Sequence, residues 1–277
     1  MLQNILKPNA AIEETARTTP AHSFWGYTWR FILVTLAAVI PALALYLAIC
    51  FLFSMYGNIA IEDMPMDFIL STTLSVCLLA VIHLYCRKAS GRSYASMGCV
   101  KKGAIKQYSI GLLLALAVCA IHLGIAVGLG VWEVKKDFDT LVLLGGVSAM
   151  LLAPISDMLA TGYYFGGVAS SKGVLYALIG CTCASLLIGL TSIQNGIVYV
   201  ITSVLMMLFS YLYFLYSGSI WGASAFSGVL SLVNRLITTT GNAPSAYIAV
   251  SDTVRTLIPL FGIAVLMLLL RKKNRAK

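Results

Sequence analysis

FILVTLAAVIPALALYLAICFLF, residues 31–53, holds no charged side chain. A helix of about 20 apolar residues crosses a ~30 Å hydrocarbon layer, whereas the apolar core of a cleaved secretion signal is only ~7–15 residues long. The stretch is therefore expected to span a membrane and to stay in the mature chain. LAIC at 47–50 has the outline of a lipoprotein cleavage box, but Ile49 is bulky where that box needs a small residue, and Phe51, Leu52 and Phe53 continue the span. Cleavage there is rejected.

The rest of the chain repeats the pattern. Hydrophobic residues make up 60% of the 277 and charged residues 10%, with a mean hydropathy of +0.91; a soluble domain carries about 25% charged residues. Eight spans are expected, at roughly 31–53, 68–86, 107–131, 140–165, 174–193, 197–216, 219–235 and 253–270. The ~10-residue alternating segments of a membrane barrel are absent. The fold class is thus all-α, a polytopic transmembrane helix bundle.

Charge sets the orientation. RKASGRSYASMGCVKKGAIK (87–106) has six Lys or Arg and no acid, RKKNRAK (271–277) has five, and GNIAIEDMPMD (57–67) has three acids and no base. The positive-inside rule places the first two on the cytoplasmic side, so both termini are expected there, in agreement with an even number of spans. The net charge of +9 belongs to these flanks, where it meets anionic lipid; no nucleic-acid partner is implied. The chain divides into a cytoplasmic N-terminal segment (1–30), one transmembrane domain (31–270) and a basic cytoplasmic tail (271–277). The expected location is a cell membrane, the cytoplasmic membrane of a bacterium.

Polar residues inside the spans carry what chemistry there is. Asp157, in APISDMLATGYYFGG (153–167), is the one acid placed well inside a span, and intramembrane acids are either functional or paired. Thr161, one turn on, is its expected partner, and Pro154 would open or kink the backbone beside it. Ser224, Ser227 and Ser231 share one helix face, either back-bonding to carbonyls in a close-packed interface or lining a polar wall. At ~1.5 Å per residue Asp157 and Ser227 lie at a similar depth of about 12 Å, and Thr191 at about 25 Å. Arg235 continues the serine face but falls at the opposite surface. Pairs of small residues four apart, Gly124 with Gly128, Gly162 with Gly166, Gly218 with Gly222 and Ser224 with Gly228, suggest close helix contacts. Tyrosines 163, 164, 211, 213 and 216 are expected as interfacial anchors.

Several reactions are excluded. The three histidines, His22, His83 and His122, offer no H-E-x-x-H zinc site; His83 and His122 are expected to pack. An aspartyl pair needs two close intramembrane acids. AFSG (225–228) resembles the rhomboid serine motif, yet no histidine follows Ser227. The seven cysteines form no C-x-x-C pair and are expected to pack. No cofactor or metal is expected.

Residues 87–235 resemble the CPBP family, the CAAX-processing and bacteriocin-processing membrane endopeptidases, also called glutamic intramembrane proteases. That family bears Glu-Glu-x-x-x-Arg-Gly, then Phe-x-x-x-His, then Gly-Ser-Leu-Trp leading into His-x-x-x-Asn or Asp. Here SDMLATGYY (156–164) matches the first motif at Gly162 and Tyr163, with Ser156, Asp157 and Thr161 replacing the glutamates and arginine. LIGLT (187–191) puts Leu187 and Thr191 at the second. GSIWGASAFSGVLS (218–231) matches Gly218, Ser219 and Trp221 of the third, with Ser227 and Ser231 at the histidine and its partner. RSYASMGCVKKG is similar to the Arg-rich approach to the family's core.

The resemblance implies a membrane endopeptidase frame whose water-activating groups are replaced. Serine and threonine hydroxyls do not accept protons at neutral pH as histidine does, and a lone carboxylate without a cation or donor array is a poor base. The reading this supports is a pseudoprotease that binds a hydrophobic peptide or membrane protein partner within the lipid bilayer. Two alternatives stand beside it: an active endopeptidase with a non-standard site around Asp157, assisted by a group such as His122, and a transporter subunit.

Overall fold

The computed structural model describes residues 5–57, 66–134, 140–190, 196–239 and 245–275. Its helices are α1 (Ala10–Thr18), α2 (Phe24–Gly57), α3 (Met66–Val81, running on as a π-helix over Ile82–Ala89), α4 (Ala104–Gly128), α5 (Thr140–Asp157, running on as a π-helix over Met158–Phe165 into α6, Gly166–Lys172), α7 (Val174–Leu190), α8 (Ile197–Ser217), α9 (Trp221–Leu236) and α10 (Ser245–Arg275). Six stretches are long and apolar enough to cross a membrane: Phe24–Tyr56, Phe68–Ala89, Ala104–Gly128, Leu143–Lys172, Ile197–Ser217 and Asp252–Asn274. The chain is a multi-pass helical membrane protein. The apolar helices α7 and α9, at 17 and 16 residues, fall short of the ~20 that a perpendicular crossing takes.

Both ends of the described chain meet at one end of the bundle. Asn9 Nδ2 donates to the Phe214 carbonyl near the end of α8 at 2.6 Å, Asn274 Nδ2 donates to the Ile5 carbonyl, and Lys273 Nζ donates to the Tyr216 carbonyl at 2.6 Å. The basic loop 90–103 lies at this same end, because Ile220 N, just ahead of α9, donates to the Gly98 carbonyl at 3.1 Å. At the far end a small antiparallel ladder joins α4 to α9, pairing Trp132 with Thr239 and Val134 with Ile237. Three-residue strands are too short to leave a periodic signal in sequence.

Element boundaries depart from expectation where polar groups find partners. Residues 1–30 were expected as a polar segment, yet Asn9 caps α1 by accepting from Ile12 N at 3.0 Å, and Ala11, Ile12 and Thr15 are buried; α1 packs along α6. Helix α2 starts at Phe24, ahead of residue 31, with the Phe24 ring edge-on to Tyr176 at 5.9 Å. Trp25 and Trp29 face outward, as aromatic residues do at a membrane interface. Helix α10 continues through Arg275, so the basic tail is helical as far as it is described, and Lys273 meets the C-terminal carbonyls of α8.

Glycines set the closest helix crossings. A Cβ at Gly111 of α4 would collide with the Gly222 carbonyl of α9, and one at Gly146 with Leu232. The expected pair Gly124 and Gly128 is different: nothing stands within 4 Å of a Cβ at either position, so that stripe makes no tight contact. Tyrosines 163, 164 and 211 are buried rather than interfacial. Tyr211 stacks on Phe165 with centroids 4.6 Å apart, and Tyr164 stacks on Phe31 at 4.8 Å. Their hydroxyls meet Ser185 and Thr28 at 3.2 and 3.0 Å, which lets phenols sit inside the bundle without an unsatisfied group.

Candidate functional site

The site forms where α5 changes register. Pro154 lies in the last turn of α5 and has no N–H to give the preceding turn. From Met158 to Phe165 the helix is wound as a π-helix, a geometry concentrated at functional positions. Asp157 sits at the junction, only 7% exposed. Its Oδ2 accepts from Ser224 Oγ of α9 at 2.7 Å, a short bond of the charge-assisted kind. Ser224 Oγ also lies 2.9 Å from the Ile220 carbonyl of its own helix.

The partner expected for Asp157 was Thr161, and the structure assigns Ser224 instead. Thr161 is 1% exposed and its Oγ1 has no hydrogen-bond partner among the described residues. The one-turn spacing that suggested Thr161 assumes α-helical winding, which ends at Asp157. Depth matching had set Ser227 beside Asp157; the bond goes one turn earlier on α9. Ser227 donates to the Ser224 carbonyl at 3.2 Å and Ser231 to the Ser227 carbonyl at 3.0 Å, back-bonding along the helix. Ser156 and Ser231 are exposed. Thr191 lies outside the described residues, as does the side chain of Arg235. The six positions that the resemblance marked are therefore not gathered around one point: Asp157 and Thr161 are buried, and Ser156 and Ser231 face outward.

The framework positions do converge, on the loop 90–103. A Cβ at Gly162 would collide with the Met97 carbonyl, so only glycine lets the loop lie on the π-helix. Gly218 closes α8 with a φ of +72°. Ser219 Oγ accepts from Trp221 N at 3.3 Å, and Trp221 Nε1 donates to the Val100 carbonyl at 3.0 Å. Tyr163 lies under a guanidinium, that of Arg92, whose Cζ is 5.4 Å from its ring centroid.

Arg92 ties these parts together. The residue is 0% exposed, and all its hydrogen bonds go to neutral acceptors. Nη1 donates to the Tyr163 carbonyl at 3.2 Å and Nη2 to the Gly162 carbonyl at 2.9 Å; Nη2 also meets the Ser96 carbonyl at 3.1 Å and Nε meets Ser96 Oγ at 3.3 Å. Burial lowers the Arg92 pKa, opposed by Tyr27, Tyr163, Cys86 and Glu14; a guanidinium stays charged in proteins regardless. Glu14 holds the loop from the other side by accepting from Ser93 Oγ at 2.6 Å. In sequence Arg92 counted only as one of six topological charges.

The other candidates lie apart. His122 packs edge-on against Trp132 with centroids 4.5 Å apart. It is eleven residues, about 16 Å, along α4 from Gly111, which crosses α9 at Gly222 beside Ser224. His83 Nδ1 lies 2.9 Å from the Tyr94 hydroxyl on the surface. Among the described residues no cluster of three or more His, Cys, Asp or Glu could hold a metal ion. The chemistry offered at Asp157 is one carboxylate held by a serine hydroxyl. A hydroxyl that donates to it has no stronger base to receive its proton, and a water molecule would have no second group to relay one. Compared with known proteins, the chain matches no family model, no curated protein and no solved structure.

Proposed function

We propose that this chain is a CPBP-like pseudoprotease: an eight-pass protein of the cytoplasmic membrane, with both termini inside, that binds a hydrophobic peptide or membrane protein partner and does not cut it. The observation that carries this reading is the engagement of Asp157. The sole acid at the motif position is buried and hydrogen-bonded to Ser224, with serine and threonine at the other chemical positions. The frame around it is kept by the Gly162 to Met97 approach, the Trp221 to Val100 bond and the Arg92 cluster. A retained frame with its proton-shuttling groups replaced supports binding rather than turnover. The short helices α7 and α9 support the full count of eight if they cross at their own lengths or where the bilayer thins.

The test is retention. The purified chain in lipid nanodiscs, mixed with synthetic apolar or prenylated helical peptides, is expected to keep a peptide of unchanged mass through repurification. Gly162→Leu, which forces the loop 90–103 off the π-helix, is expected to release it. Peptide that is retained equally by nanodiscs without protein, or by Gly162→Leu shown to be folded, would refute the proposal.

A further inference from the structure

A second site lies away from Asp157, on the lipid-facing side of α4, α8 and α10. A groove of about 930 Å³ runs between these helices, with Ile110, Leu114, Phe209, Phe261, Val265 and Leu269 among its apolar walls. At its mouth stand Lys272, Lys273 and Gln107. The two ends differ in chemistry. From Phe261 to Lys272 is eleven residues, about 16 Å of helix. That is close to the ~15 Å half-thickness of a ~30 Å hydrocarbon core. The apolar part has the length of one leaflet and the basic part sits where a headgroup lies.

The mouth is built for an anion that also carries a hydroxyl. Lys273 Nζ donates to the Tyr216 carbonyl and stands over the Tyr216 ring at 5.5 Å, which fixes the ammonium at the mouth with donor capacity left over, since an ammonium has three N–H groups. Lys272 is exposed beside it. Gln107 Oε1 is buried and has no hydrogen-bond partner among the described residues; it accepts, so it calls for a donor. A phosphate alone meets the lysines and leaves Gln107 unmatched. We infer that the groove holds one anionic glycerophospholipid with a hydroxyl-bearing headgroup, its phosphate on Lys272 and Lys273, a headgroup hydroxyl on Gln107 Oε1 and an acyl chain along Leu269, Val265 and Phe261. This site is independent of the pseudoprotease reading.

Native mass spectrometry tests it on the full chain taken from vesicles of equal phosphatidylglycerol and phosphatidylcholine. One phosphatidylglycerol per chain is expected to be retained in preference to phosphatidylcholine. A basic side chain near an anionic surface contributes about 1 kcal/mol, so Lys272→Gln with Lys273→Gln is expected to weaken retention roughly tenfold or more. Leu269→Trp, at an exposed position that tolerates bulk, is expected to block the chain and lower retention with both lysines intact. Lys101→Gln with Lys102→Gln, on the neighbouring loop, is expected to leave retention within about twofold. Equal retention of the two lipids would overturn the inference. So would equal loss in the loop variant, which would mark general surface charge, or a co-purifying peptide cross-linked at Leu269, which would mark a different occupant.

Discussion

Replacing Arg92 with methionine should loosen the whole basic end of the bundle. The guanidinium makes four hydrogen bonds, of which those to the Gly162 and Ser96 carbonyls are the shortest at 2.9 and 3.1 Å. Hydrogen bonds to a charged group are worth about 1.5–3 kcal/mol each, so the two shortest alone come to at least ~3 kcal/mol. Against this, the native protein carries the cost of keeping a charge out of water, which methionine removes while filling much of the volume. A net loss of about 2–4 kcal/mol remains, because the carbonyls of Gly162 and Tyr163 keep their burial and lose their donor. At ~2–4 °C per kcal/mol for a chain of this size, unfolding should come roughly 5–10 °C earlier. The assay is thermal unfolding in detergent followed by a thiol-reactive fluorophore, since Cys86 and Cys181 are both buried and react only on unfolding. Arg92→Lys should recover no more than half the loss, as an ammonium lacks the planar fork that serves two carbonyls. Arg92→Met within about 0.5 kcal/mol of the parent would refute the reasoning.

Three further outcomes are expected. Gly162→Ala should cost about 2 kcal/mol or more in the same unfolding assay, because its Cβ meets the Met97 backbone, which has no flexible end to swing aside; Gly124→Ala, with open space around it, should be neutral or slightly stabilising. Ser224→Ala should destabilise by about 1–3 kcal/mol through the lost donor to Asp157, and the loss should largely vanish when Asp157→Leu is made with it, as a double-mutant cycle would show. Burial pushes the Cys99 thiol from 9.0 to about 11. Its alkylation at pH 8 should therefore be roughly a hundredfold slower than that of a free thiol, rising until pH is near that value. The sign for stability follows: the folded state holds this proton more tightly, so the contribution is complete below pH 9.0 and lost as pH rises through about 11.

The spans were legible because long apolar runs in this chain have few other uses: residues 31–53, 107–131 and 197–216 each lie within or nearly match a helix. What escaped was decided by partners distant in sequence. Asn9 gave no hint that it would reach Phe214, 205 residues on, and α1 was missed with it. The partner of Asp157 was misassigned because the reading extended α-helical spacing through a segment that winds as a π-helix. Tyrosines 163, 164 and 211 looked like interfacial anchors because position in a span was taken for depth; their hydroxyls are satisfied inside by Ser185, Thr28 and their neighbours. Arg92 was hidden among the basic residues of its loop, since a topological charge and a buried structural one look identical in sequence. Gly162 and Trp221 were singled out only through the family resemblance, and their contacts with the loop 90–103 give each a physical role.

The central claim is that the Asp157 site holds no hydrolytic pair. The most direct measurement is a side-by-side incubation of the parent chain and Asp157→Asn in liposomes with apolar and prenylated peptides, read by the mass of every peptide recovered. The account predicts intact peptide from both, at the level of empty liposomes. Cleavage by the parent that disappears in Asp157→Asn would contradict it.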